Sequence, residues 1–454
     1  MKKHTVFTWA KRLFGSAVAI VAFALTANVA EAATITVTTN LDEFDENTPS
    51  TCSLREAIEA ANRNSDFGGC AAAPGDPYGA DTIVFSITGT INLTRTPNVS
   101  NDNDDNAGGD LDILTDAPSS SVVTLTIIGP VTVNAAAFPS GQDRAFDVLA
   151  PAAGSSAGGV RFVNVTIENG GQGISTETVG NDDFCYRGGG GIRLRPGGRL
   201  ELDSVNILRS AIPRNGGGVC IDRNSVVTIT GGSMVSNTAG SNGGAIFIGN
   251  KSVVTITGGS MVSNTAGSEG GAIFVDTFAD VFVNNLSIRD NRAPIGGGVR
   301  NNGDMIITGA DVFNNAATGV GGGIMNIAQM TLTNSSLISN AAATGGSVFN
   351  DPSGMMTIRD TVITGSRAAR GGGIYNGGVL RVADSQVITN AATSEGGGLL
   401  NEGGSSSPTP TCARTVPLTA AAFIIKATGW RRAVAASRIT TPPTTAAAST
   451  TSLR

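Results

Sequence analysis

The sequence predicts an all-β fold: a right-handed, single-stranded parallel β-helix, a solenoid of about 25 residues per coil, with a short N-terminal capping helix. Three observations carry this. Gly-rich tetrads run from Gly189-Gly190-Gly191-Ile192 through Gly216-Gly217-Gly218-Val219 to Gly396-Gly397-Gly398-Leu399, and the aliphatic residues closing them are 24 to 27 residues apart. Ser225 to Ser241 and Ser252 to Ser268 both read SVVTITGGSMVSNTAGS, so the unit must stack on its own copy. The units alternate β-branched runs such as VVTIT and MIITG with Gly, Asn, Ser and Asp turns, and they lack the Leu-x-x-Leu-x-Leu frame of a leucine-rich repeat.

Residues 1–32 read as a secretory signal. Lys2, Lys3, Lys11 and Arg12 precede the apolar run Leu13 to Val29, and Ala30-Glu31-Ala32 offers the small-x-small site that places cleavage after Ala32. The alternative is an uncleaved anchor, for which the apolar run is short. Cleavage removes the only histidine, His4, and leaves Lys251 and Lys426 as the only lysines. A Ser-His-Asp triad, a Cys-His pair and a His-ligated zinc cannot be built from what remains. The net charge of −6 becomes −9 for residues 33–454 and −15 for residues 33–404, because no acid follows Glu402. This argues against nucleic acid or an anionic membrane as partner. The expected mature chain is a monomer with no transmembrane segment, secreted or associated with a bacterial outer membrane.

Residues 33–80 form the expected cap. Ser53 can accept from the Glu56 amide while the Glu56 carboxylate reaches back to Ser53, a capping box. Leu54, Ala57, Ile58 and Ala61 then follow at helical spacing, so one face must cover something apolar. A stack of coils ends in an open apolar cross-section with unpaired strand edges, and this helix, with the strand TITVTT before it, is placed to be the lid. A bridge between Cys52 and Cys70 would staple the helix to its following loop, worth about 3 kcal/mol. Cys185 and Cys220 are the second candidate pair, and Cys412 is left over. With no Cys-x-x-Cys, disulfides are preferred to a metal site.

Residues 81–180 are expected to be irregular early coils and residues 181–404 regular ones, with three short strands per coil. Stacked coils turn a column of equivalent residues into a ladder with a rung every ~4.8 Å. One column holds Asn237, Asn264, Asn291, Asn315, Asn340 and Asn390, interrupted by Ser366. Asn tolerates the left-handed backbone of a turn, and its amide can bond to those above and below. A second ladder, Asn301, Asn326, Asn350, Asn376 and Asn401, is confined to later coils.

CSLREAIEAAN, from Cys52 to Asn62, resembles the hallmark of the CSLREA family of secreted bacterial proteins, whose cap precedes a parallel β-helix. DTIVF, GDLDI and DRAFDV look like the early coils of that family, so the resemblance covers nearly all of residues 34–404. The GGAI tetrads and FVNN at Phe282 to Asn285 are also similar to repeats of chlamydial polymorphic outer-membrane proteins, which act as adhesins and end in a membrane β-barrel. No barrel-like region is visible in this sequence. The resemblance implies a structural or adhesive role, with a glycan or a host-cell surface as partner.

Extracellular β-helices also include polysaccharide lyases and hydrolases, which want paired carboxylates on one outward ladder, often with Arg, Lys or calcium. Asp222 and Asp276 share a column with Gly249 between them, about 10 Å apart, at or just beyond the limit for an inverting acid and base. Arg223 and Lys251 lie close in sequence. These are the catalytic candidates, with solvated turn residues as the alternative. The densest acidic patch is NDNDDNAGGDLDI, from Asn101 to Ile113. Asp102, Asp104 and Asn106 offer alternating calcium ligands, but Ala107 stands where an EF-hand needs Gly and Ile113 where it needs Glu.

Residues 405–454 abandon Gly and acids for Ala, Thr, Ser and Arg, and are expected to be translated out of frame. Ala420 to Thr428 use the codons GCN, GCN, GCN, TTY, ATH, ATH, AAR, GCN and ACN. Regrouping each codon's first two bases with the preceding third base permits Gly-Gly-Gly, an aliphatic, then Tyr and Asn, matching GGGIYNGG at Gly371 to Gly378. The same shift lets Thr415 become the ladder Asn, and Phe423 lies 24 residues after Leu399, so the period survives. Sequencing the gene tests this. The shifted frame should spell further Gly-rich repeats between the codons for Ser405 and Arg454, and a stop codon there would sink the idea.

Overall fold

The computed structural model describes residues 33–46, 50–96, 106–115, 123–138, 143–149, 158–171, 185 and 188–403, and the backbone of Ile424 and Ile425. Residues 1–32, read above as a secretory signal, and Asp102, Asp104 and Cys412 lie outside the described residues. The chain winds into a parallel β-solenoid of about 8 turns. The strand pairs of the stack are parallel, and along the short-strand sheet they keep one register: Val219 lies against Ile246, Ile246 against Ile273, and so on to Leu399. The register continues to Ile424 and Ile425, which pair with Leu400 and Asn401.

One regular coil shows how the sequence builds a rung. A short strand, Val219–Ile221, is followed by Val226–Thr230, then Ser233–Val235, then Thr238–Ala239, after which the next tetrad begins at Gly243. This coil has four strands where three were expected, because Gly231 and Gly232 at φ 65° and 70° fold one side of it at a two-residue corner, whereas the coil beginning at Ile324 has three. Asn285, Asn334, Asp360 and Asp384 make the same corner elsewhere with left-handed φ. Period-2 alternation points Val227 and Ile229 inward and Val226, Thr228 and Thr230 outward. The inward residues of all coils form one continuous core with Val219, Ile221 and Met234 and their counterparts.

The tetrads must be glycine for two separate reasons. Gly243 has φ +69°, and a Cβ there would sit 2.3 Å from the Ile246 carbonyl oxygen. A Cβ on Gly244 would lie 2.1 Å from the Gly271 carbonyl of the next coil. The chain at each tetrad therefore reverses tightly and touches the coil above it.

The N-terminal end is closed by β1 (Thr34–Val37), α1 (Leu54–Arg63) and β2 (Asp81–Phe85). β1 pairs in parallel with β2. Ser53 caps α1, and the reciprocal Ser53–Glu56 bonds of the capping box are both made. Leu54, Ala57, Ile58 and Ala60 are buried in the same core as the coils, while Ala61 is only partly buried. Arg55 is buried and binds Asp42 at 2.6 Å, and its guanidinium donates to the carbonyls of Asn106, Gly109 and Asp110. The helix thus ties to the first coils by polar bonds as well as apolar contact. Cys52–Cys70 and Cys185–Cys220 are disulfides, with Cα atoms 4.7 and 5.6 Å apart.

The asparagine column is buried. Asn237 donates from its backbone and side-chain nitrogens to Asn264 Oδ1 at 2.9 and 3.0 Å, and Asn264 does the same to Asn291 at 2.8 and 3.0 Å. Each side-chain amide also donates backwards to a strand carbonyl, as Asn264 does to Met234. The left-handed residue is not the Asn itself but the one before it: Ser236, Ser263, Asp290 or Asn314. That corner residue turns the chain, which frees the Asn amide to point inside. At Ser366 the hydroxyl takes the place of the amide, accepting from the Asn340 backbone. Asn301, Asn326, Asn350, Asn376 and Asn401 form a second chain of amide bonds. A third, Asn92, Asn134 and Asn169, runs along the early coils.

Asn264→Asp replaces a buried donor with a carboxylate facing the Met234 carbonyl, and should cost about 3 kcal/mol. Asn250→Asp, at a half-buried turn position, should stay within about 0.5 kcal/mol of the parent. Urea denaturation of the two variants distinguishes an energetic ladder from a passive one.

Candidate functional site

The outer sides of the solenoid hold the groups available for chemistry. On the short-strand sheet, the middle residue of each three-residue strand points away from the core, and register places these residues in one column. Asp112, Asp147 and Arg193 are successive members at the N-terminal side. Arg144 bridges Asp110 and Asp147 at 3.0 and 3.2 Å, while Arg193 and Arg195 reach Asp147 at 3.4 and 2.9 Å. Carboxylate oxygens of Asp110, Asp112 and Asp147 come within 4.8 Å of one another, a spacing that can hold a cation. Arg144, Arg193 and Arg195 thus join Asp110 and Asp147 in a buried ion-pair network.

Further along the column stand Cys220, Phe247 and Phe274, with the Phe rings stacked at 5.2 Å and 5° beside the disulfide. Arg300 follows, paired with Glu269 at 3.1 Å. The column then reaches Phe349 and Tyr375, stacked at 4.7 Å and 10°. Tyr375 donates from its hydroxyl to Glu402 at 2.8 Å, Arg370 bonds the same carboxylate, and Arg370 lies 3.6 Å from Glu395. Burial and then the Glu402 carboxylate push the Tyr375 phenol above its ordinary pKa. The Arg370 guanidinium is likewise held charged, chiefly by its bond to Glu402. This half-exposed group of Arg, Tyr and two Glu was not foreseen. Its members come from different coils, and only the 27-residue offset of Tyr375 and Glu402, one coil plus the turn, hints at it.

The structure places the sequence candidates differently. Register puts Ile221, Ile248 and Val275 in one column, so Asp222, Gly249 and Asp276 do follow one another. Asp222 is fully buried and accepts from the Arg223 amide at 2.6 Å. Asp276 accepts from the Thr277 amide at 2.7 Å. Each carboxylate thus accepts from the amide that follows it in the chain. Asn106 is buried and committed: its amide donates to Glu59 and to the Asp112 carbonyl, and its oxygen accepts from the Asp112 amide. An open cleft of about 270 Å³ lies against Pro213, Arg214, Asn215 and Ser241.

The long-strand sheet presents a different surface. Its outward positions carry Val226, Val253, Phe282, Ile306, Phe313 and Met355, each 40 to 50 % exposed. Val226 pairs with Val253 and Phe282 with Ile306, so the apolar groups adjoin between neighbouring coils. Thr228, Thr230, Thr255 and Thr257 fill the rows beside the valines. Among the described residues no helix is long and apolar enough to cross a membrane. No family model, curated protein or solved structure matches this chain.

Asp147→Asn leaves Arg144, Arg193 and Arg195 buried against a neutral amide. The expected loss is about 3 kcal/mol or more, as for breaking one side of a buried ion pair. Thermal and urea unfolding check it.

Proposed function

We propose that this chain is a secreted or surface-displayed bacterial β-helix of the CSLREA type, with a structural or adhesive role. The supporting observation is the outer face of the long-strand sheet, where six large apolar side chains stay part-exposed, in adjoining pairs at Val226 and Val253 and at Phe282 and Ile306. Exposed apolar groups gathered among polar residues are characteristic of an interaction site. The two disulfides fit an oxidising compartment. The partner class is a glycan or a cell-surface ligand, met by the hydroxyls and methyls of the threonine rows and by the aromatic and aliphatic groups beside them.

A carbohydrate-active enzyme is the second reading, favoured by the Arg370, Tyr375, Glu395 and Glu402 group, since Arg and Tyr beside carboxylates suit proton transfer on a sugar. A glycan and host-cell binding array, run beside a screen for depolymerised polysaccharides, separates the two. Phe282→Lys with Ile306→Lys should abolish array binding and leave folding intact. Depolymerisation that is lost in Glu402→Gln, Asp222→Asn or Asp276→Asn would defeat the adhesive reading.

A further inference from the structure

The first rung contains a buried acid without a matching cation. Register pairs Thr34 with Thr82, so Ala33 stands opposite Asp81, and the Thr82 amide donates to the Ala33 carbonyl at 2.7 Å. Ala33 is 0 % and Asp81 1 % exposed. Asp81 Oδ1 accepts from the Gly79 amide at 2.8 Å, while Oδ2 is buried with no hydrogen-bond partner. Burial pushes the carboxyl pKa up, and the amides of Gly79 and Ala33 pull against it. No arginine or lysine contributes to its charge balance among the described residues, and the nearby titratable group is Tyr78, whose hydroxyl donates to Asp66. A carboxylate so placed is costly unless a cation joins it.

The geometry points to a processing site: hydrolysis of the Ala32–Ala33 bond gives Ala33 a free α-ammonium that pairs with the buried Asp81 carboxylate and locks the first rung. This rests on the reading of the chain as exported. Water adds its oxygen to the Ala32 carbonyl carbon and the C–N bond breaks. Ala32 leaves as a carboxylate, and Ala33 retains the nitrogen as –NH3+, the proton coming from the acid released. The catalyst is a signal peptidase of the exporting membrane. One neutral N–H facing Asp81 is thereby replaced by three charged donors, enough to reach Oδ2 as well as Oδ1.

The pH dependence follows from the partner. Pairing raises the α-amine pKa in the folded state above its unfolded value of about 7.7–8.0. The stabilisation is therefore complete below that value and is lost as pH rises through the folded pKa.

Two measurements test the proposal. N-terminal sequencing of the exported protein should begin at Ala33; another start, or retention of residues 1–32, overturns the processing step together with the export reading. Separately, a chain beginning at Ala33 is compared with its N-acetylated form, each with and without Asp81→Asn. Acetylation should lower the melting temperature at pH 7 by several degrees in the parent. It should have little effect at pH 10 or in the Asp81→Asn variant. The free amine should also resist acylation in the folded protein and react on unfolding. Equal melting temperatures for the free and acetylated parent, with a freely reactive amine, overturn the ion pair while leaving export standing.

Discussion

Parallel, in-register pairing between coils is the constraint on which everything else here depends. It sets each residue about 4.8 Å from its counterpart in the next coil, so every column must tolerate being stacked on itself. Aliphatic side chains satisfy this in the core, and the duplicated unit Ser225 to Ser241 shows the limiting case, with each residue stacked on an identical one. Asn satisfies it by offering both a donor and an acceptor, which is why Asn237, Asn264 and Asn291 can be fully buried. Phe247 on Phe274 satisfies it by ring stacking. Buried like charges in one column need counter-charges, and where Asp112 is followed by Asp147 the next member of the column is Arg193.

The same constraint makes the ends of the solenoid expensive. A first coil exposes apolar residues and strand edges that no neighbour satisfies. The protein answers with α1, whose apolar face joins the core and whose Arg55 is spent on three backbone carbonyls and Asp42. The Cys52–Cys70 disulfide holds the entry and exit of that helix, limiting how far the cap can open. Asp81 belongs to this region too, buried with Ala33 where β1 and β2 begin.

Function on such a scaffold is a matter of which columns face outward. The short-strand sheet turns its outward column into buried networks and stacks, which fix structure and leave only the Tyr375 end half open. The long-strand sheet leaves its outward rows uncovered, and there apolar and hydroxylic side chains stand beside charged ones such as Asp280, Asp304 and Arg359. A surface of that kind suits contact over many coils better than chemistry at one point.

The period, the parallel stacking, the ladders and the cap were legible in the sequence because each is a local pattern repeated at a fixed interval: the tetrads, the Asn columns and the Ser53–Glu56 box. Tertiary structure alone decided the corners and the clusters. A two-residue left-handed bend made four strands where the runs of β-branched residues suggested three, since Gly, Asn and Asp at a corner read the same as in a loop. It also decided that Asp222 and Asp276 close their own turns, and that Arg144, Arg193 and Arg195 converge on Asp147 while Arg370 and Tyr375 converge on Glu402. Those partners are one or more coils apart, and side-chain direction around a closed rung, which no spacing encodes, sets whether equivalent positions meet.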